Sequence, residues 1–139
     1  MTLKAVQNRS LLLVTNVLPK FWWPRISHYL EGVIDAHPGY DVQSVHEMCH
    51  ANIFKLHIVK EFSVCGAFVT VVQEYPLCRE LFILFGGGEG IKNWRLIEDQ
   101  FSEYARELEC DIISLYGRKG WLRHFKRYDT QYMVITKKV

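Results

Sequence analysis

Three groups of residues in this chain have types and spacings suited to chemistry. The first runs from Leu81 to Leu108. A short apolar strand, Leu81-Phe82-Ile83-Leu84-Phe85, leads into the loop Gly86-Gly87-Gly88-Glu89-Gly90, and an amphipathic helix follows. A glycine loop between a buried strand and a helix N-terminus leaves backbone N–H groups unpaired and outward-facing, a site suited to a phosphate-bearing ligand. Lys92 adds a positive charge, whereas Glu89 repels a phosphate unless it points away. The same residues also suit a plain strand-to-helix turn without a ligand, and both readings stand at this point.

The second group is His46-Glu47-Met48-Cys49-His50, which matches H-E-x-x-H, the helical pattern that places two histidines on one zinc with glutamate as base. On a helical wheel the apolar centre comes from Val42, Val45 and Cys49, with His46 roughly 80° and His50 roughly 120° away. The pair therefore sits at the margin of the buried face. No downstream residue announces itself as a third ligand, since His57 and Glu61 lie on the next strand. A zinc hydrolase using His46, Glu47 and His50 is thus the remote alternative, and no metal is expected.

The third group is a set of proton carriers and cations. Glu80 near the start of the fourth strand, Glu74 at the end of the third and His57 on the second are base candidates. Arg118, Lys119, Arg123, His124, Lys126 and Arg127 alternate with Trp121, Phe125 and Tyr128. Cations interleaved with aromatics suit single-stranded nucleic acid or nucleotide phosphates. The four-and-three spacing of the aromatics also fits a short amphipathic helix with a solvated basic face, and a net charge of +2 is too small to argue for nucleic acid.

These groups need elements to position them. The 139 residues form one domain, 1–139, and 49% hydrophobic residues supply a real core. No apolar run is long enough to span a membrane, and the first residues lack a signal-peptide core. Cys49, Cys65, Cys78 and Cys110 are scattered and read as reduced thiols, which points to the cytoplasm. Leu11 to Val14 reads as a strand, and Pro24 suits the first turn of a helix that His37-Pro38-Gly39 stops. Asp41 caps a second helix through about Cys49. Strands follow over Ile53 to Lys60, Val64 to Tyr75 and Cys78 to Phe85, with turns short enough to make neighbours antiparallel.

The long helix runs from about Lys92 to Leu108 with the stripe Trp94, Ile97, Phe101, Tyr104, Ala105 and Leu108. Asp111 to Tyr116 is a strand, Gly120 to about Tyr128 a short helix and Gln131 to Thr136 a last strand. The strands flanking the long helix should be parallel neighbours. The fold class is α/β: a mixed, mostly antiparallel sheet of about six or seven strands, flanked by helices on both faces. Phe21-Trp22-Trp23-Pro24 reads as a staple or a surface for a protein partner.

This order, with a glycine-rich turn between the fourth strand and the long helix, resembles the GNAT superfamily of acyl-CoA-dependent N-acetyltransferases. The likeness covers the chain from about Leu11 onward and includes Glu103 to Ile112 as helix end and fifth strand. With Gly117-Arg118-Lys119-Gly120-Trp121 after that strand, the chain is also similar to small GNAT-like proteins of tailed phages. The resemblance implies that the fourth and fifth strands splay and that acetyl-CoA enters the gap. Ile83, Leu84 and Phe85 would then pair with pantetheine. Gly86, Gly87, Gly88, Gly90, Ile91 and Lys92 would hold the pyrophosphate, and the basic C-terminal segment suits the adenosine phosphates.

It further implies Glu80 as base toward an amine acceptor, Tyr116 or Tyr128 as proton donor to the thiolate, and a substrate-facing wall at Trp22 or Trp23. The chain departs from the family in three places. Phe85 or Ile83 stands where an arginine or glutamine belongs, and the spacing from Gly90 to Cys110 is about one helical turn longer. Phe125, which cannot donate a proton, stands at the family's tyrosine position. A catalytically inactive GNAT-fold phage accessory or virion protein acting through protein contacts is the alternative implied by these departures.

Overall fold

The computed structural model describes residues 11–117, 119–129 and 135–139. In chain order these form β1 (Leu11–Val14), α1 (Pro19–Asp35), α2 (Val42–His50), β2 (Lys55–Glu61), β3 (Ser63–Glu74), β4 (Arg79–Gly88), α3 (Trp94–Glu107) and β5 (Ile112–Leu115), followed by a 3-10 turn over Lys119–Arg123. The five strands lie in sequence order in one sheet. The first three pairings are antiparallel, and β4 with β5 is parallel.

Alternation along the strands divides the core in two. On one face Leu56, Ile58, Ala67, Val69 and Phe85 pack under Ile26, Leu30 and Ile34 of α1 and Val45 and Cys49 of α2. On the other, Leu13, Val59, Phe68, Leu81 and Ile83 pack under Ile97, Phe101 and Tyr104 of α3. Helices therefore cover both faces, as the periodicity requires. Asp41 caps α2 as expected: its carboxylate accepts from Ser44 N–H at 2.7 Å, and Ser44 Oγ accepts from Asp41 N–H at 3.0 Å. The four cysteines are free thiols, and burial pushes the Cys49 thiol up to about 12.

Several boundaries differ from the sequence reading. Helix α1 begins at Pro19, so Pro24 lies inside the helix, not in its first turn. Pro19 already supplies the preset φ at the helix start, and Pro24 removes one N–H from the second turn. The expected helix over Gly120 to Tyr128 is only the 3-10 turn. The sheet has five strands among the described residues rather than six or seven. Most of the last expected strand, Gln131 to Thr136, lies outside the described residues.

The largest revision concerns the glycines. Gly86, Gly87 and Gly88 continue β4, opposite Phe68, Ala67 and Gly66 of β3, so they are strand and not loop. A Cβ on Gly86 would lie 2.5 Å from the Phe68 ring, and one on Gly87 would lie 2.0 Å from the Tyr29 carbonyl oxygen. Absence of side chains here lets α1 rest directly on the strand.

His57 is a core residue rather than a base. Its ring is fully buried on the α3 face against Phe101 and Tyr104. Nδ1 accepts from Asn16 N–H at 3.0 Å, so the proton sits on Nε2, which lies 2.7 Å from Thr70 Oγ1. Burial, aided by Lys55, holds its pKa down to about 3. A depressed histidine pKa means the unfolded chain takes up a proton first. Stability from this group is therefore intact above about pH 6.5 and falls as pH drops toward 3, by about 1.4 kcal/mol per unit at most. Urea unfolding at pH 7 and pH 5 should show this loss, and a folded His57→Gln variant should show a shallower one. Equal slopes would remove His57 as the cause.

Candidate active site

The site is built where β4 and β5 part. Their parallel register runs from Glu80 opposite Ile112 to Ile83 opposite Leu115, and Tyr116 N–H donates to the Ile83 carbonyl at 3.1 Å. There β5 ends, while β4 continues to Gly88 against β3. A bulge at this point sets Val69 opposite Phe85 and Thr70 opposite Ile83, which leaves Leu84 as the extra residue. Bulges bend a strand and turn it from its neighbour. The remainder of β4 thus borders an open cleft of about 1330 Å³, lined among others by Glu80, Phe82, Leu84, Phe85, Gly86, Tyr116 and Trp121.

On the α1 side of the sheet the floor of the cleft follows strand parity. Glu80 and Phe82 alternate with Leu81 and Ile83, which face α3, so they share the opposite face with Ser114 and Tyr116. Glu80 is only 4% exposed. Its Oε1 accepts from the Tyr75 hydroxyl at 3.0 Å, and its Oε2 accepts from Ser114 Oγ. Tyr116 is half-exposed, with its ring centroid 6.4 Å from that of Phe82 and 5.5 Å from that of His37 at the end of α1. Glu80 and Tyr116 are therefore brought to one face of one cleft. Glu74 is not: it is solvent-exposed and paired with Arg79.

On the α3 side Trp121 closes the gap. Added Cβ atoms on Gly86 and Gly117 would lie 3.3 Å and 2.5 Å from its indole, so the ring stands between the parting strands. Phe125, beside it, is fully buried in the α3 core. Tyr128 packs on Phe125 at 5.2 Å, and its hydroxyl is buried with no hydrogen-bond partner among the described residues. Burial and nearby Glu98 push its pKa well above the ordinary tyrosine range.

The true turn into α3 is short, Glu89 to Asn93. Glu89 N–H donates to the Cys65 carbonyl at 2.8 Å, and Gly90 takes φ +69°, a left-handed conformation suited to glycine. Asn93 caps the helix by accepting from Leu96 N–H at 3.1 Å. Beside this turn lies a recess of about 340 Å³ lined by Lys92, Trp94, Arg95, Arg123, His124 and Lys126, with Arg127 and Glu98 at its edge. His124 stacks on Trp94 at 4.3 Å. Arg127 is neutralised by Glu98 at 2.7 Å and Asp99 at 2.6 Å. Lys92, Arg95, Arg123 and Lys126 carry the positive charge that remains. Of the expected basic segment, Arg123, His124, Lys126 and Arg127 are thus gathered near the N-terminus of α3, while Arg118 lies outside the described residues and the helix expected to carry them is reduced to a turn.

The other candidates separate. The His46 ring stacks on Trp23 at 4.9 Å with an interplanar angle of 4°, which fixes it as a packing group. Among the described residues no three histidines, cysteines or acids gather as a metal site. Trp23 is core and not a substrate-facing wall, while Phe21 is exposed under the Arg25 guanidinium. No helix among the described residues is long and apolar enough to cross a membrane.

Sequence reasoning missed Tyr75, Ser114, His37 and Phe82 as companions of Glu80. The period-two series Ile112, Ser114, Tyr116 carried the signal for two of the site's residues.

Solved structures share this fold. An aminoglycoside acetyltransferase from an uncultured soil metagenomic sample superposes with TM-score 0.68 at 11% identity, covering 95% of this chain and 98% of that one. A GNAT family acetyltransferase of Staphylococcus aureus gives TM-score 0.62 at 17% identity over 93% and 98%. A predicted acetyltransferase of Clostridium acetobutylicum, solved with acetyl-CoA, gives 0.62 at 15% identity over 93% and 95%. No protein-family model matches the sequence, and no curated relative does. The architecture is the GNAT acetyltransferase fold.

Proposed function

We propose that the chain is an acyl-CoA-dependent N-acetyltransferase acting on an amine. The parting of β4 from β5, in a cleft that the buried carboxylate of Glu80 also lines, carries this reading. An acyl-CoA, when bound, supplies an activated acetyl thioester. Of the expected pantetheine edge, Ile83 is already bonded to β5, and Leu84 and Phe85, which lie beyond the end of β5, suit the amides of the pantetheine arm. Because Gly86, Gly87 and Gly88 lie within the strand, the phosphate-facing backbone narrows to Gly90, Ile91 and Lys92. The recess formed by Lys92, Arg95, Arg123 and Lys126 suits the nucleotide phosphates.

Glu80 takes the proton that the amine sheds as its nitrogen bonds to the acyl carbon and the carbon–sulfur bond breaks. Tyr116 stands at the end of β5 to return a proton to the thiolate sulfur. Holding both reactants in one cleft supplies much of the acceleration.

A second reading has its own support. The indole of Trp121 fills part of the gap, and Phe125 leaves the usual acid position without a proton. Both suit a GNAT-fold scaffold that acts through protein contacts, of the kind carried by phages.

Calorimetry with acetyl-CoA separates the two. The enzyme reading expects micromolar binding that weakens at least about ten-fold in a Lys92→Glu/Arg123→Glu variant, since both side chains are exposed and their reversal leaves the core untouched. Absence of heat at millimolar acetyl-CoA would leave the scaffold.

A further inference from the structure

Among the described residues Glu80 has no cationic partner. The carboxylate is almost wholly buried and is held by two neutral hydroxyls, Tyr75 and Ser114. Among the described residues the ion pairs are Arg79 with Glu74 and Arg127 with Glu98 and Asp99, and none reaches Glu80. A buried carboxylate without a cation is costly, and hydroxyl donors offset only part of that cost. Its position on the wall of an open cleft leaves room for a cation from outside.

The rest of that face is aromatic. Phe82 and Tyr116 lie with an interplanar angle of 30°. His37 stands against Tyr116, and its ring centroid is 5.9 Å from that of Phe85. Val33 and Ala36 of α1 complete the wall. Such a surface takes a flat apolar body and also attracts a cation through the ring faces. The other acids of the cleft, Glu98 and Asp129, line it together with Arg127, and Glu98 is already paired with that arginine. Among the described residues of the cleft, Asp129 is solvent-exposed and Glu80 is the buried carboxylate without an ion pair, which matches one ammonium.

We propose that the acceptor is a monoamine, bound as its ammonium on Glu80, whose carbon skeleton is an aromatic or similarly flat apolar group lying on Phe82 and Tyr116. This rests on the assignment of the α1 side of the cleft to the acceptor. Polyamines and multiply charged sugars fit less well, because the wall of Phe82, Tyr116 and His37 offers their further ammonium groups no second buried carboxylate among the described residues.

The test is direct binding of amines to the full chain with acetyl-CoA left out, so its outcome is independent of the acetyl-CoA titration. 2-Phenylethylamine should bind at least about ten-fold more tightly than ethylamine, which lacks the ring, and than 2-phenylethanol, which lacks the charge. Glu80→Gln should erase the preference for amine over alcohol, and Phe82→Ala should erase the preference for phenylethylamine over ethylamine. Equal binding of amine and alcohol, tighter binding of spermidine, or no binding of phenylethylamine at millimolar concentration would each overturn the proposal. These comparisons on the unaltered chain decide the matter even if a variant fails to fold.

Discussion

Gly87→Ala should destabilise the protein by about 3 kcal/mol or more, enough to leave much of a small domain unfolded. The methyl carbon would be built 2.0 Å from the carbonyl oxygen of Tyr29. That oxygen belongs to the backbone of α1, so relief requires the helix to lift from the sheet, which carries Ile26, Leu30 and Ile34 away from Ala67 and Val69. Gly32→Ala provides the contrast. It lies on the same helix with nothing within 4 Å of the new methyl, and should stabilise by about 0.5 to 1 kcal/mol by restricting the unfolded chain.

Urea unfolding of both variants checks the pair. A phosphate-binding loop over Gly86 to Gly90 gives a different pattern: Gly87→Ala would keep its unfolding midpoint and lose acetyl-CoA binding instead. A folded Gly87→Ala protein with an unchanged midpoint would return these glycines to the ligand and refute the close approach of α1.

The contrast shows where the sequence was legible. Strand order, the parallel partnership of β4 and β5, the capping of α2 and the stripe of α3 all follow from side-chain period and cap chemistry, which the sequence carries openly. The length of β4 does not. Its apolar alternation stops at Phe85, and glycines have no side chain with which to show that a helix lies on them. The bulge at Leu84 is hidden for a related reason: it is a property of pairing with β3 and leaves no mark on composition. Residues 119–129 misled in the other direction. Trp121 and Phe125 have helical spacing, yet a 3-10 turn brings both to the α3 core, and the indole is held at Gly117 and Gly86. Of the proposed pair, Glu80 and Tyr116 were visible as residues. That they share a cleft was visible only through the register of β4 with β5.

Glu80→Gln should lower kcat for acetyl transfer by about two orders of magnitude or more, the range a positioned general base supplies. Binding of acetyl-CoA should stay within about two-fold of wild type, because the basic recess lies at the other end of β4 beside α3. The substitution is close to isosteric, and the amide can still accept from one hydroxyl through its oxygen. The fold should therefore survive, although the amide nitrogen then faces either Tyr75 or Ser114 as a competing donor. Ser114→Ala and Tyr75→Phe provide the positioning control. Each removes one hydroxyl from the carboxylate and leaves the other in place, so each should keep most of kcat, in contrast to Glu80→Gln. Full activity in Glu80→Gln would show that Glu80 is not the base, and would pass the role to solvent at the mouth of the cleft.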